Sequence, residues 1–426
     1  MKKLLFLVLT AVSFHAVGQS WGAKKIARSI KKTAAFQQAH IAFALADVHD
    51  SKLLAHYQAD HYMTPASNTK LLTFLAALQT FDRLPALQYF KSEAGNLHFT
   101  PNGYPLLLHP KYADTLLLSF LKDAQQWTYH PPKVDPNRWG DGWAWDDFPY
   151  YFAAEKSAFP IYGNVLTLEK TTSGLRYAPD IFTLRFLAEG DEIPPLQREA
   201  DSNVFKINAP ALEIGKARYA PFRTSSAVFL QALSHALDQP ITTLQEIPEG
   251  AVWEKLYTQQ ESTLYKALLQ DSDNAIAESL LLMIAHETSD SLQTQHAISR
   301  VTQKWESWLP DPLSWVDGSG VSRYNMFTPR TLVAVLQQLH KQADWKTLQD
   351  YFPQPLNSQP FLKNKLPYVY AKTGTLRHNH NLSGYLVSKK GNIYVFSLMV
   401  NHHMASTTEV KQGMALFLEE IYKKLR

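Results

Sequence analysis

The pattern of apolar and polar residues near the start of the chain predicts a hairpin followed by a helix. Ile41, Phe43 and Leu45 alternate with other residues, which is typical of a strand, and residues 52–57 are expected to return as its partner. From Leu71 onward the apolar positions follow helical spacing. Residues 41–57 are therefore predicted to form a β-hairpin, and a helix is predicted to follow it.

Residues 86–255 show a different pattern, in which short alternating segments are separated by turn residues. The expected strands include 97–100, 165–168 and 181–184. Helical runs are few, at 114–125 and 226–237. This pattern predicts a mostly β insertion.

Helical spacing returns after residue 256, and a sheet follows it. The expected helices lie at 262–270, 275–286 and 329–341, with a final core-packing helix from Val410 onward. The expected strands lie at 368–375, 384–388 and 393–400. We therefore expect an α+β fold in which residues 19–85 and 256–426 form one domain and residues 86–255 are inserted into it.

The N-terminus has the features of an export signal. Lys2 and Lys3 precede a short apolar run at 4–14, and the small residues Ala16 and Gly18 favour cleavage before Gln19. We expect residues 1–18 to be a signal peptide and the mature protein to be soluble and periplasmic. Without the two lysines the formal charge falls from +4 to +2, which argues against a nucleic-acid-binding protein.

The absence of cysteine and a basic segment near the N-terminus bear on which kind of protein this is. The chain has no cysteine, which excludes a disulfide framework and a lipid-anchored lipoprotein. Residues 24–38 form a basic amphipathic segment around Ile26 and Ile30. It is expected to pack on the main domain with its basic face in solvent, and the alternative is peripheral contact with a membrane.

Three short motifs occur in order along the chain, and together they indicate acyl transfer. They are Ser67 with Lys70 three residues later, Ser272-Asp273-Asn274, and Lys372-Thr373-Gly374. Ser67 is the candidate nucleophile and Lys70 its base, because residues three apart share a helix face. Lys70 must be neutral to accept a proton. Burial and nearby positive charge both lower the pKa of a lysine, and Lys372 is the expected second cation.

The other residues of these motifs complete the chemistry. Ser272 can pass the proton to the leaving group, and Asn274 can orient both Lys70 and a substrate amide. Lys372 offers a charge for a substrate carboxylate, with Thr373 beside it, and Gly374 allows the backbone to approach the substrate. The N–H groups of Ser67 and Thr375 are the expected oxyanion hole. No cofactor is required.

These motifs resemble those of the D-alanyl-D-alanine carboxypeptidase/endopeptidase family, the low-molecular-mass class C penicillin-binding proteins. Residues 317–325 (DGSGVSRYN) are similar to a loop of that family, and Lys372-Thr373-Gly374-Thr375-Leu376 with residues 382–385 is similar to its strand pair. Residues 142–147 (GWAWDD) resemble a segment of its inserted domain.

The resemblance implies a serine β-lactamase/DD-peptidase-like domain, in which helices flank an antiparallel sheet beside a helical subdomain, with a mostly β inserted domain. It implies hydrolysis of D-Ala-D-Ala bonds, or of D-Ala–diaminopimelate cross-links, in peptidoglycan stem peptides through an acyl-enzyme on Ser67, with β-lactams as inhibitors. It also implies that Asp147 binds the side-chain amine of diaminopimelate. The alternative for residues 143–147 is core tryptophans beside surface carboxylates.

Polar residues depart from the family pattern near the last motif. His378 and His380 lie where the family has a more apolar link, and His402 and His403 are close by in the expected sheet. A metal site is one interpretation, but no carboxylate or ligand spacing supports it, so surface or cleft histidines are expected.

Two other functions are compatible with the same sequence motifs. A β-lactamase on the same fold would differ in how fast water deacylates the enzyme, and no deacylating glutamate can be placed. A non-catalytic peptidoglycan-binding scaffold is the other alternative, although the complete set of motif residues weighs against it.

Overall fold

The computed structural model describes residues 23–135, 137–187, 194–289, 291–358 and 365–425. The expected signal peptide at 1–18 lies outside these ranges. Within them, no helix is both long and apolar enough to cross a membrane.

Strands and helices are numbered in chain order. The strands are β1 (His40–Asp47), β2 (Leu53–Tyr57), β3 (Pro85–Lys91), β4 (Leu97–Thr100), β5 (Trp127–Tyr129), β6 (Val165–Thr171), β7 (Gly174–Ala178), β8 (Thr183–Phe186), β9 (Leu196–Arg198), β10 (Val204–Ile207), β11 (Arg218–Pro221), β12 (Ile241–Thr243), β13 (Glu254–Tyr257), β14 (Val369–Leu376), β15 (Asn379–Val387) and β16 (Ile393–Asn401). The helices are α1 (Ala23–Lys32), α2 (Lys70–Thr80), α3 (Thr115–Lys122), α4 (Ser226–Leu237), α5 (Glu261–Leu269), α6 (Asn274–Ser289), α7 (Thr294–Trp305), α8 (Pro329–Gln342), α9 (Trp345–Tyr351), α10 (Pro355–Ser358) and α11 (Thr407–Tyr422).

The main sheet is antiparallel and has the strand order β14-β15-β16-β1-β2. Apolar clusters lie on both of its faces, and successive side chains of a strand point to opposite faces, so one strand contributes to both clusters. In β1, Ile41, Phe43 and Leu45 join one apolar cluster, whereas Ala42 and Ala44 join the other. The alternation that predicted β1 thus reflects one face of a strand that is covered on both sides.

Helices cover each face of this sheet. On one face, α1 and α11 contribute to the same apolar cluster as Phe43, which meets Phe417 edge to face with ring centroids 4.9 Å apart. On the other face, α8 contacts β1 and β16, and α2 packs against α5, α6 and α8. This group of helices places α2 and the start of α6 beside the edge strand β14.

The two ends of the segment that was expected to be inserted lie on neighbouring strands. β3 and β13 are antiparallel partners, with Tyr89 opposite Glu254. Between them lie the rest of a five-stranded mixed sheet, β12-β5-β4-β3-β13, and two three-stranded sheets, β8-β10-β9 and β11-β6-β7. The division of the chain at 85/86 and 255/256 stays a prediction.

Most expected elements occur close to their expected positions, with a few differences. The strand expected at 181–184 begins at Thr183, and β15 begins at Asn379, within the expected polar link. Helix α7 was not among the expected elements, although Ala297, Ile298 and Val301 are buried at helical spacing.

Candidate active site

The nucleophile segment is a tight turn that precedes the helix. Ser67 lies in the 3-10 helix Ala66–Thr69, and α2 begins at Lys70. Residues at i and i+3 nearly eclipse each other in a 3-10 helix, so the lysine still lies over the serine. Lys70 Nζ is 3.2 Å from Ser67 Oγ, as the spacing predicts.

Lys70 is completely buried and has two further hydrogen-bond partners. Its Nζ donates to Asn274 Oδ1 at 2.6 Å and to the carbonyl of Ser319 at 2.7 Å. A neutral amine has two N–H bonds and one lone pair. If those two acceptors take the N–H bonds, the lone pair is left for the hydroxyl proton of Ser67.

Burial lowers the pKa of Lys70 to about 8. The charges that act on it most strongly are the carboxylates of Asp317, Glu278 and Asp273, and they oppose this effect. Burial, one of the two expected causes, is confirmed as the main one, because an ammonium group is poorly solvated inside the protein. The repulsion between Lys70 and Lys372, the other expected cause, contributes to the lowered pKa of Lys372.

Lys372 lies in β14 and is also buried. Its Nζ donates to Ser272 Oγ at 2.8 Å and to the carbonyl of Thr373 at 2.9 Å. Burial first and the charge of Lys70 second hold the pKa of Lys372 well below its usual range. Since Ser272 Oγ accepts this bond, its own proton can be donated elsewhere, as a proton shuttle requires.

The loop between α5 and α6 presents Ser272 and Asn274 to the two lysines. Ser272 has a φ of +58°, a left-handed conformation that is strained for a residue with a side chain. Asp273 caps α6, since its Oδ1 accepts the N–H of Ile276 at 3.0 Å.

The amide of Asn274 contacts both Lys70 and the 86–255 segment. Its Oδ1 accepts from Lys70 Nζ, and its Nδ2 donates to the carbonyl of Phe152 at 2.7 Å. An amide NH2 group has two N–H bonds, so this contact uses one of them. The orientation of Lys70 is as expected, and the role of Asn274 toward a substrate amide stays a prediction.

Gly374 brings β14 against the nucleophile segment. A Cβ at this position would lie 2.3 Å from the carbonyl oxygen of Pro65 and 3.2 Å from the Ser67 nitrogen. Asn68 Nδ2 strengthens the contact by donating to the carbonyl of Lys372 at 2.7 Å. The glycine thus admits the backbone that carries Ser67, and its expected role in letting β14 approach the substrate stays a prediction.

Thr373 and Thr375 alternate with Gly374, so they share one face of β14. The Thr375 hydroxyl lies 2.8 Å from His380 Nδ1 on the neighbouring strand. The roles of Thr373 in substrate binding and of the Thr375 N–H in the oxyanion hole stay predictions.

Two buried carboxylates, whose roles were not predicted, support this cluster from behind. Asp317 accepts hydrogen bonds from the N–H groups of Gly320 and Ser322 and from Asn325 Nδ2, at 2.7–2.8 Å. Glu278 Oε1 accepts the N–H of Ser319 at 2.8 Å. Together they hold the loop whose Ser319 carbonyl binds Lys70.

The sequence contained a signal for Glu278, since it lies four residues after Asn274 on the same helix face. Its pKa is raised to about 7, first by burial and then by Asp317. A partly protonated carboxyl is thus placed close to the base.

Asp147 lies in a 3-10 turn, Trp145–Asp147, between two contacts with the site. On one side Trp143 Nε1 donates to Asp317 Oδ2 at 2.8 Å, and on the other Phe152 accepts from Asn274. Among the described residues, no hydrogen bond or ion pair joins Asp147 itself to Ser67. Burial and the neighbouring Asp146 raise its pKa, and Arg323 opposes them.

The four histidines near the end of the sheet include two that hydrogen-bond to backbone. Across the described ranges, no group of three or more metal-ligating side chains is present. His378 Nδ1 donates to the carbonyl of His403 at 3.0 Å, and His403 Nδ1 to that of Ala405 at 2.8 Å. Each of these imidazoles therefore serves as a donor to backbone.

The model of the D-Ala-D-Ala carboxypeptidase 3 (S13) family matches residues 23–87 and 134–421. The chain belongs to this family. The resemblance stated from the motifs is thereby confirmed, and so is the expected class of enzyme, a serine-type D-Ala-D-Ala peptidase.

Two relatives match most of the chain. D-alanyl-D-alanine carboxypeptidase DacB of Haemophilus influenzae is 24% identical over 452 aligned positions, with 91% of each chain covered. D-alanyl-D-alanine carboxypeptidase of an Actinomadura species is 25% identical over 416 positions, covering 84% of this chain and 77% of the relative.

Solved structures confirm the expected fold class. Penicillin binding protein 4 (dacB) of Haemophilus influenzae has a TM-score of 0.69 at 20% identity and covers 94% of this chain and 99% of its own. A predatory peptidoglycan endopeptidase of Bdellovibrio bacteriovorus has a TM-score of 0.54 at 12% identity and covers 91% of this chain and 93% of its own.

Proposed function

We propose that this chain cleaves the terminal D-Ala-D-Ala bond of peptidoglycan stem peptides, or D-Ala–diaminopimelate cross-links, through an acyl-enzyme on Ser67. The observation that carries the proposal is Lys70, a buried lysine with its pKa lowered to about 8, placed 3.2 Å from Ser67 Oγ. The similar proteins support the substrate class, since two are D-alanyl-D-alanine carboxypeptidases and one is a peptidoglycan endopeptidase.

In the acylation step Ser67 Oγ attacks the carbonyl carbon of the penultimate D-alanine. The hydroxyl proton passes to Lys70 Nζ, and negative charge develops on the carbonyl oxygen beside the N–H groups of Ser67 and Thr375. Collapse of this intermediate breaks the peptide bond. Ser272, held by Lys372, donates its proton to the departing amine and takes up the proton carried by Lys70, so that both groups return to their starting forms.

In the second step water releases the acyl group. Lys70 is again the base, since it regains its neutral form once its proton has passed on. Water adds to the ester carbonyl, the bond to Ser67 Oγ breaks, and the serine recovers its proton. β-Lactams would acylate the same oxygen and deacylate slowly.

The side-chain amine of diaminopimelate is the proposed ligand of Asp147. The Asp147 side chain is half-buried and is held beside the site by the contacts of Trp143 and Phe152. Asp147→Asn should raise KM for diaminopimelate peptides about tenfold and leave alanine-substituted peptides unaffected, as expected for one lost charge-assisted bond. Asp146→Asn is the matched control, and equal effects of the two variants would overturn this assignment.

Export to the periplasm is part of the proposal. Its support is the pattern of residues 1–18 and the location of the proposed substrate in the cell wall. The proposed partners are stem peptides and β-lactams, with no cofactor and no nucleic acid.

Defined muropeptides test the proposal. Incubation with a pentapeptide monomer and a cross-linked dimer, followed by mass analysis, should show loss of one D-alanine, conversion of dimer to monomers, or both. Ser67→Ala should leave both substrates intact. Rapid penicillin hydrolysis with untouched muropeptides would favour a β-lactamase, and binding to peptidoglycan without turnover would favour a scaffold.

A further inference from the structure

Thr375 and His380 form a cross-strand pair at the edge of the site. β14 and β15 are antiparallel with Thr375 directly opposite His380, so the two side chains lie on the same face of the sheet. Thr375 Oγ1 and His380 Nδ1 are 2.8 Å apart. This contact is not used in the acylation steps described above.

The two partners have opposite environments. Thr375 is exposed, two residues beyond Thr373 on the same face of β14, whereas His380 is buried at 2% exposure. Burial first, and then Lys411, His403 and Lys372, lowers the pKa of His380 to about 3. The imidazole is therefore neutral at physiological pH and has a single N–H.

A neutral imidazole allows two arrangements of the Thr375 hydroxyl. If His380 Nδ1 accepts, the hydroxyl proton points at the ring, and lone pairs of Thr375 Oγ1 face the cleft. If Nδ1–H donates, the hydroxyl proton is free to turn toward the cleft. A carboxylate in the cleft beside Lys372 and Thr373 is an acceptor only, so it favours the second arrangement.

We propose that His380 is a positioning residue whose Nδ1–H donates to Thr375 Oγ1 and so directs the Thr375 hydroxyl proton onto the C-terminal carboxylate of the substrate. This inference rests on the proposed function. In this arrangement His380 contributes to the preference of the enzyme for peptides with a free C-terminal carboxylate over peptides in which that carboxylate is blocked.

Two isosteric substitutions separate this role from a merely structural one. In His380→Asn the side-chain amide occupies the place of Nδ1, and in His380→Gln the amide reaches the place of Nε2. The substrates are a peptide ending in D-Ala-D-Ala and the same peptide with its terminal carboxylate converted to an amide. His402→Asn, at an exposed histidine with a φ of +56°, is the control.

His380→Gln should lower kcat/KM for the free-acid peptide about tenfold, mainly through KM, the scale of one hydrogen bond to a charged group. His380→Asn should recover most of the loss, and neither variant should differ from wild type on the amide. Rates are expressed per penicillin-labelled site, which removes the effect of misfolded protein. In a Thr375→Val background His380→Gln should have no further effect.

Equal losses on the acid and the amide would overturn the inference, as would a Gln variant that behaves like wild type. A full additional loss in the Thr375→Val background would also overturn it. If the His380 variants do not fold, Thr375→Val alone should reduce the acid-over-amide preference, and an unchanged preference contradicts the inference. Wild-type protein that neither labels with penicillin nor cleaves the acid would instead overturn the proposed function.

Discussion

Lys70 is under two opposing influences, burial that favours the neutral amine and carboxylates that favour the ammonium ion. Burial has the larger effect, and it lowers the pKa of Lys70 to about 8. A lysine must be neutral to accept a proton. The acylation rate should therefore be low at acidic pH, increase as the pH passes through about 8, and level off above it. The nearby carboxylates raise the pKa of Lys70, and so they raise the pH at which the acylation rate increases.

Removal of one carboxylate should move the transition to lower pH. In Glu278→Gln a negative charge near Lys70 is lost, so the pKa of Lys70 falls further and the midpoint of the acylation–pH profile drops by about one unit. Stopped-flow acylation by a chromogenic β-lactam between pH 5 and 10 measures this midpoint.

Glu287→Gln is the control for that experiment. Glu287 lies on the same helix but pairs with Lys255 near the surface. Its loss should leave the midpoint unchanged, and an upward shift in Glu278→Gln would contradict the electrostatic account.

The positions of single site residues were predictable where the reaction requires certain residue types at a fixed spacing in the sequence. Ser67, Lys70, Ser272, Asn274 and Lys372 meet as the motifs predict. The partner of Asn274 Nδ2 was not predictable, because a backbone carbonyl such as that of Phe152 leaves no trace in residue type. Asp317 and Glu278 could have been suspected from their positions, but burial decides their effect, and burial is a property of the folded chain.

At the scale of elements, the segment 141–153 is held against the main domain by a few polar contacts. Trp143 Nε1 donates to Asp317, Ser322 Oγ donates to the carbonyl of Asp141 at 2.6 Å, and Phe152 accepts from Asn274. These contacts explain how residues 141–153 become one wall of the site.

Loss of the indole donor should destabilise this wall. Trp143→Phe leaves an oxygen of the buried Asp317 with one partner fewer, which should cost about 1–2 kcal/mol and lower the melting temperature. Differential scanning calorimetry measures this change. Trp145→Phe, at a residue that is 87% exposed, should have almost no effect. If the two variants were equally stable, the contact with Asp317 would contribute nothing.

Elements were predictable where periodicity is strong, as in β1, α8 and the β15–β16 hairpin. The pairing of β3 with β13 joins residues far apart in sequence and has no local signal. The parallel contacts of β5 with β4 and β12 likewise depend on tertiary structure.

At the scale of the whole molecule, the basic N-terminal helix is part of the main domain. Ile26 and Ile30 are buried in the cluster that includes α11, and Ser29 hydrogen-bonds Glu420. The apolar face that a membrane would need is therefore covered by protein. The structure favours the packed helix that was expected over peripheral membrane contact.

Ile26→Ala should accordingly destabilise the entire protein by about 2–4 kcal/mol, as buried isoleucines commonly do. Thermal unfolding followed by circular dichroism measures the loss. Lys24→Ala, on the exposed face of the same helix, should change stability by less than about 0.5 kcal/mol. A neutral Ile26→Ala would show that the helix does not pack as described.

We propose that Ser67 is the residue acylated by D-alanine peptides and β-lactams. Incubating the purified protein with penicillin and locating the adduct by peptide mass mapping tests this proposal most directly. One penicilloyl group on the Ser67 peptide is predicted, and none in Ser67→Ala. Absence of labelling in wild type, or labelling that persists in Ser67→Ala, would contradict the account.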